Sequence, residues 1–255
     1  MYIDTHVHLN DETIYKKINE TLLEAQKAGV SKFFVVGYDK HTSMLAIEIA
    51  KKYENCFAII GFHPTEVKDL TEEDYSWLEE NATKENKVIA IGECGYDFHW
   101  DRTTKEEQQI AFIKQIEIAK KLQLPLSIHS RDAMQLTYDT LKEHHAELVG
   151  GVMHSFAGEK EMAKEYIKLN FALGISGPIT FKNGRTMRET VENVDIKYIL
   201  SETDSPYLSP EPFRGKENGP KNIPLIVKKI AEVKNMSVED VKEKIYENVN
   251  RIFGV

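Results

Sequence analysis

The chain has 255 residues, of which 41% are hydrophobic and 29% charged, enough apolar material to bury a full core without disulfide or metal staples. Its net charge of −8 argues against a broad, non-specific nucleic-acid surface, but not against a phosphate substrate held through metal ions in a carboxylate-lined pocket. The two cysteines, Cys56 and Cys94, sit in apolar, strand-like contexts, so no disulfide framework is expected. With no signal-peptide pattern and no run near the ~20 apolar residues of a membrane span, the expected location is the cytoplasm.

Ile3–His8 reads as the first strand. Ile14, Ile18 and Leu22 then recur at helical spacing, and Gly29 follows as a stop. Further strands are expected at Lys32–Gly37, Phe57–Gly61, Val88–Glu93, Leu126–His129, Gly151–His154, Phe171–Ser176 and Tyr198–Glu202. Between the fourth and fifth, Thr104 and Glu107 resemble a capping box opening a helix on which Phe112, Ile116 and Ala119 share a face. Ser205 to Pro224 reads as a long loop after the last strand. Ser237 is a candidate N-cap for a closing helix with the stripe Val241, Ile245, Val249 and Ile252. Strands alternating with helices imply βαβ units and a parallel sheet, and about eight such units in this length match a (β/α)8 TIM barrel forming one domain over residues 1–255. An open doubly wound sheet is the structural competitor, but no Gly-rich phosphate fingerprint follows the first strand.

The polar residues fall at one place in this pattern. Alternation along a strand puts His6 and His8 on the same side, where two imidazoles either converge on a cation or are satisfied as core histidines. Glu93 and His129 end the fourth and fifth strands, while His154 and Asp204 close the sixth and follow the eighth. A shared strand end directs all six groups to the C-terminal mouth of a barrel. Four imidazoles and two carboxylates exceed the needs of one tetrahedral catalytic site and suit two divalent ions sharing a bridging carboxylate. One ion is expected on His6, His8 and Glu93, the other on Glu93, His129 and His154. Asp204 would bind the first ion and orient the attacking water or take its proton.

Such a centre suits hydrolysis at phosphorus or at a carbonyl. Arg131, two residues past His129, and Arg214 with Lys216 in the last loop are candidate phosphate contacts, each of which could equally be a surface charge. His63, after the third strand, is a candidate phosphate or leaving-group contact outside the ligand set. Tyr96 is a substrate contact or a loop-packing residue. His99 and Trp100 are placed to line the entrance by position alone. His41, His144 and His145 read as surface residues, and Cys94 as a small buried one lacking a base partner.

The segments Ile3-Asp4-Thr5-His6-Val7-His8-Leu9-Asn10, Gly92-Glu93-Cys94-Gly95-Tyr96-Asp97, Pro125–Ala133 and Glu202-Thr203-Asp204-Ser205-Pro206-Tyr207-Leu208 together resemble the motifs of the TatD-related metal-dependent hydrolases, described as deoxyribonucleases. The resemblance runs over essentially the whole chain. It implies a (β/α)8 barrel, divalent metals on His6, His8, Glu93, His129, His154 and Asp204, and hydrolysis of DNA, often 3′ to 5′ on single strands. Gln135 stands where many relatives carry an acidic residue, and Asn218-Gly219-Pro220 where many have Asn-Glu-Pro, so the contacts of that last loop differ. The expected function is a phosphodiesterase on DNA ends, using zinc as isolated and magnesium or manganese as alternatives in function, with no membrane and no obligate protein partner. A small-molecule amidohydrolase or lactonase is the alternative. It is disfavoured because Glu93 stands where related enzymes carry a carboxylated lysine. A metal-binding scaffold for a protein partner is a third reading.

Overall fold

Apolar runs buried on both faces become the strands of a parallel sheet, as expected where helices cover the outside. The computed structural model describes residues 1–255. Its strands are β1 (Tyr2–Val7), β2 (Val30–Val36), β3 (Cys56–Ile60), β4 (Val88–Asp97), β5 (Leu126–Arg131), β6 (Gly151–Met153), β7 (Phe171–Ile175) and β8 (Ile199–Ser201). They follow one another in sequence order within an eight-stranded sheet, each neighbouring pair parallel. Helices fill the connections, giving a (β/α)8 barrel. No helix is long and apolar enough to cross a membrane.

The seam between β8 and β1 is closed largely by side chains. Thr5 Oγ1 donates to Ser201 O over 3.1 Å and Ser201 Oγ to Ile3 O over 2.8 Å. The Asp4 carboxylate, fully buried, accepts from Thr203 N at 2.9 Å and from Thr203 Oγ1 at 2.5 Å. At the mouth, Asp204 N donates to His6 O and His8 N to Ser205 O, both at 2.9 Å. These bonds fix the residues that carry His6, His8 and Asp204 against one another.

The helices form where their caps and apolar stripes direct. Thr104 Oγ1 accepts from Glu107 N at 3.1 Å while Glu107 answers Thr104 N at 2.6 Å, the expected box opening the helix Lys105–Leu122. Ser237 caps the helix Val238–Phe253 by accepting from Asp240 N. Val241, Ile245 and Val249 are buried, closing that helix over the barrel as the stripe predicts. Within it, Asn248 donates to Ile196 O and Ile199 O, each at 2.8 Å, tying the helix to β8.

One boundary departs from expectation in a way that shapes the site. β4 does not end at Glu93 but continues to Asp97, and its pairing with β5 is irregular between Ile91 and Cys94 before resuming. Glycine at positions 92 and 95 permits the close passage. Both have positive φ, and a Cβ on Gly95 would lie 2.0 Å from His129 O.

Candidate metal centre

Glu93 is the residue around which the mouth is organised. Its Oε2 lies 3.4 Å from His6 Nε2, while Oε1 lies 2.8 Å from His129 Nδ1 and 3.9 Å from both His154 Nε2 and His63 Nε2. One carboxylate thus turns an oxygen to each of two sets of imidazoles. Asp204 closes the opposite side, with Oδ1 3.3 Å from His8 Nε2, 3.7 Å from His154 Nε2 and 3.8 Å from His6 Nε2. His6, His8 and Glu93 form a compact donor group, as do His6, His154 and Glu202, and His63, Asp97 and His129.

The partners of the second ring nitrogens decide which nitrogen each imidazole presents. His8 Nδ1 donates to Val36 O at 2.9 Å, leaving Nε2 as a lone-pair donor to a cation. His129 Nε2 donates to Asp97 Oδ2 at 2.9 Å, leaving Nδ1 on the Glu93 side. His154 Nδ1 lies 2.8 Å from Glu202 Oε1, in ion-pair range although the N–H is not aimed along the contact, and Nε2 faces the mouth. His63 has the opposite arrangement. Its Nδ1 accepts from Thr65 N at 3.2 Å, so Nε2 carries the proton and faces the mouth as a donor. That suits a contact to an anionic oxygen and not metal ligation.

His6 supplies the test of fit to a cation. It is fully buried and neither ring nitrogen has a hydrogen-bond partner. A buried imidazole left unpaired costs roughly 1–3 kcal/mol. A divalent ion facing Glu93 and Asp204 would satisfy its Nε2. Mixed imidazole and carboxylate donors suit zinc, manganese or magnesium in increasing order of carboxylate and water content.

The electrostatics agree. Burial disfavours the ionised form of Glu93, but His6, His154 and His129 hold its carboxyl well below the usual range. Burial also opposes protonation of His154, yet Glu202, Asp204 and Glu93 lift it to about 10. For His8, burial is outweighed by the Asp204 and Glu93 carboxylates, and the shift is upward. His6 moves the other way, lowered by burial and by neighbouring His154. Burial and the proximity of His129 push His63 down to about 3, so this imidazole is neutral at physiological pH. The carboxylates thus create the negative field that a cation would occupy.

The mouth opens on one side. The side chains of His129 and Asp204 are 17% and 14% exposed whereas His6 is at 0%, so a substrate meets His129 and Asp204 first. Arg131 lies exposed at the end of β5. Arg214 and Lys216 are exposed on the last loop, Arg214 over the Phe181 ring at 4.2 Å and Lys216 5.9 Å from Phe213, outside the Glu93 cluster. Tyr96 is not brought to the mouth. It belongs to β4, where alternation turns it away from Glu93, and its ring packs on Phe112 with its hydroxyl 3.1 Å from Thr140. Of the two roles left open for Tyr96, substrate contact or packing, these contacts are those of packing.

Two participants escaped the sequence reading. Asp97 shares a strand face with Glu93, two pleats further on, and was hidden by ending β4 too early. Glu202 follows β8 and is fully buried, accepting from Ser155 N as it faces His154. Both are carboxylates that orient an imidazole from behind, an arrangement common where histidines bind metal.

Comparison with known proteins follows this geometry. Residues 3–254 match the family model described as TatD related DNase. The chain is 42% identical over 255 residues to YabD, an uncharacterized metal-dependent hydrolase of Bacillus subtilis (strain 168), with 100% of both chains covered. It is 32% identical over 256 residues to YcfH of Escherichia coli (strain K12), also an uncharacterized metal-dependent hydrolase, covering 99% of this chain and 96% of that one. The crystal structure of YjjV, a TatD homolog from Escherichia coli K12, superposes with a TM-score of 0.94 at 26% identity, covering 100% and 98% of the two chains. A TatD family hydrolase from Entamoeba histolytica shares the fold, with a TM-score of 0.88 at 24% identity over 99% and 97% of the chains. With the family model spanning nearly its whole length, this chain belongs to the TatD-related metal-dependent hydrolases.

Proposed function

We propose that this protein is a cytoplasmic phosphodiesterase that hydrolyses DNA from single-stranded or 3′ ends, using two divalent ions. The observation that carries this reading is Glu93, whose two oxygens face separate sets of imidazoles as a bridging carboxylate would. The first ion would be held by His6, His8, Glu93 and Asp204, the second by Glu93, His129 and His154. Zinc is proposed as isolated, with magnesium or manganese serving in function. When bound, such ions lower the pKa of water and stabilise charge on phosphoryl oxygens.

The chain's own groups do the remainder. Asp204, at the open side with Oδ1 near three imidazoles, orients the attacking water and accepts its proton. Glu93 holds the two ligand sets in one frame. His63 Nε2–H donates to a phosphate oxygen or to the leaving group. In this reading Arg131 would bind a neighbouring phosphate, and Arg214 with Lys216 the strand further out. Asp97 and Glu202 keep His129 and His154 turned toward the mouth.

Labelled single-stranded, double-stranded and abasic DNA incubated across a panel of divalent metals tests the proposal. Expected are chelator-sensitive release of nucleotides from single strands and loss of that activity in Asp204→Ala and Glu93→Ala. Intact DNA with every metal, alongside turnover of lactones or amides, overturns it.

A further inference from the structure

The loop after β4 holds an aromatic side chain out in solvent beside the metal centre. Trp100 is 50% exposed, unusual for the largest apolar side chain. The loop beneath it is firmly held. Asp97 Oδ1 accepts from His99 N at 2.9 Å and Trp100 N at 3.0 Å, while Oδ2 of the same carboxylate takes His129 Nε2 at 2.9 Å. On the far side, Thr103 Oγ1 donates to Pro64 O at 2.6 Å, tying the loop to the segment that begins at His63. One carboxylate thus fixes both a metal-ligand candidate and the backbone carrying the indole.

Two guanidinium groups lie over this ring, Arg131 at 5.9 Å and Arg102 at 6.0 Å from its centroid. They are not equivalent. Arg102 is paired with Glu66 at 3.0 Å, whereas Arg131 engages no carboxylate and keeps its charge available for an anion. With Arg131 drawn off the ring onto a phosphate, this preorganised, half-exposed indole would offer the freed π-face to a base, at the edge of the proposed phosphodiester-cleaving centre.

We infer that Trp100 is a stacking platform for an unpaired nucleobase of the DNA strand whose phosphodiester enters the metal centre, with Arg131 binding the adjoining phosphate. Stacking needs a base free of its pairing partner, so the platform selects single strands over duplex. The inference rests on the phosphodiesterase reading and adds to it a recognition element for the base.

Because the chain has two tryptophans, Trp77→Phe leaves Trp100 as the only indole reporter. This metal-loaded protein is titrated with a thymidine octamer carrying hydrolysis-resistant phosphorothioate linkages and with an abasic octamer of the same backbone. The octamer of thymidine is expected to quench Trp100 and to bind more tightly than the abasic chain. Replacing Trp100 by Ala should weaken thymidine-octamer binding by about 5- to 150-fold, the range for losing one base–aromatic stack, and close the gap to the abasic chain. Circular dichroism of Trp100→Ala checks that the variant is folded. Octamer binding with unchanged Trp100 emission, or unaltered affinity in Trp100→Ala, overturns the platform and leaves the phosphodiesterase reading standing. Failure of both oligomers to bind overturns both.

Discussion

Replacing Glu202 by Gln tests how the centre keeps His154 in place. Glu202 is fully buried, lies 2.8 Å from His154 Nδ1, and leaves Nε2 facing Glu93 at 3.9 Å and Asp204 at 3.7 Å. Glutamine preserves the volume and can still accept from Ser155 N, so the change removes charge with little change in shape. Losing a carboxylate behind a metal-bound histidine costs about 10- to 100-fold in metal affinity. Here the lower end applies, because Glu93 and Asp204 still face His154 and its N–H is not aligned on Glu202. About tenfold, or about 1.4 kcal/mol, is expected. A competitive titration against a chromophoric zinc chelator should show the phase belonging to the Glu93, His129 and His154 ion weakened and the other phase little altered. Thermal stability of the metal-free protein should fall, since Glu202 and His154 form a buried pair and the change removes one partner of it. Two phases matching those of the unaltered protein would refute the reasoning.

Two further outcomes follow from the packing. Asn248→Ala removes the bond to the buried Ile199 carbonyl and that to the partly buried Ile196 carbonyl, so urea unfolding should show a loss of about 1–3 kcal/mol with the m-value unchanged. Burial pushes the Cys56 thiol up to about 12 and raises that of Cys94 further, beside the Glu93 carboxylate. Thiolate is therefore scarce at neutral and mildly alkaline pH, and a disulfide reagent should titrate no thiol in the native protein and both after denaturation.

Much of this was written in alternation and little of it in the loops. The parity of His6 and His8, the apolar runs of β2 to β5 and the box at Thr104 are local patterns with a two- or four-residue reach, and each corresponds to an observed element. The two roles left open for Tyr96 separate by the same rule: once β4 is known to reach Asp97, odd and even positions set Glu93 and Asp97 apart from Tyr96. Other features have no local signature. The seam bond between Asp4 and Thr203 joins residues 199 apart, and the pairing of Glu202 with His154 depends on where β6 and β8 end in space. Nor could composition announce that Trp100 would be held exposed, because the bond that holds it belongs to Asp97.

Metal content per chain tests the central claim most directly. Elemental analysis of the purified protein after loading and gel filtration should find two divalent ions per chain, falling to none or a trace in Glu93→Ala because both ions lose a shared ligand. His6→Ala should retain one, since the Glu93, His129 and His154 set is left intact. A single ion in the unaltered protein, or two ions persisting in Glu93→Ala, would contradict a bridged two-metal centre.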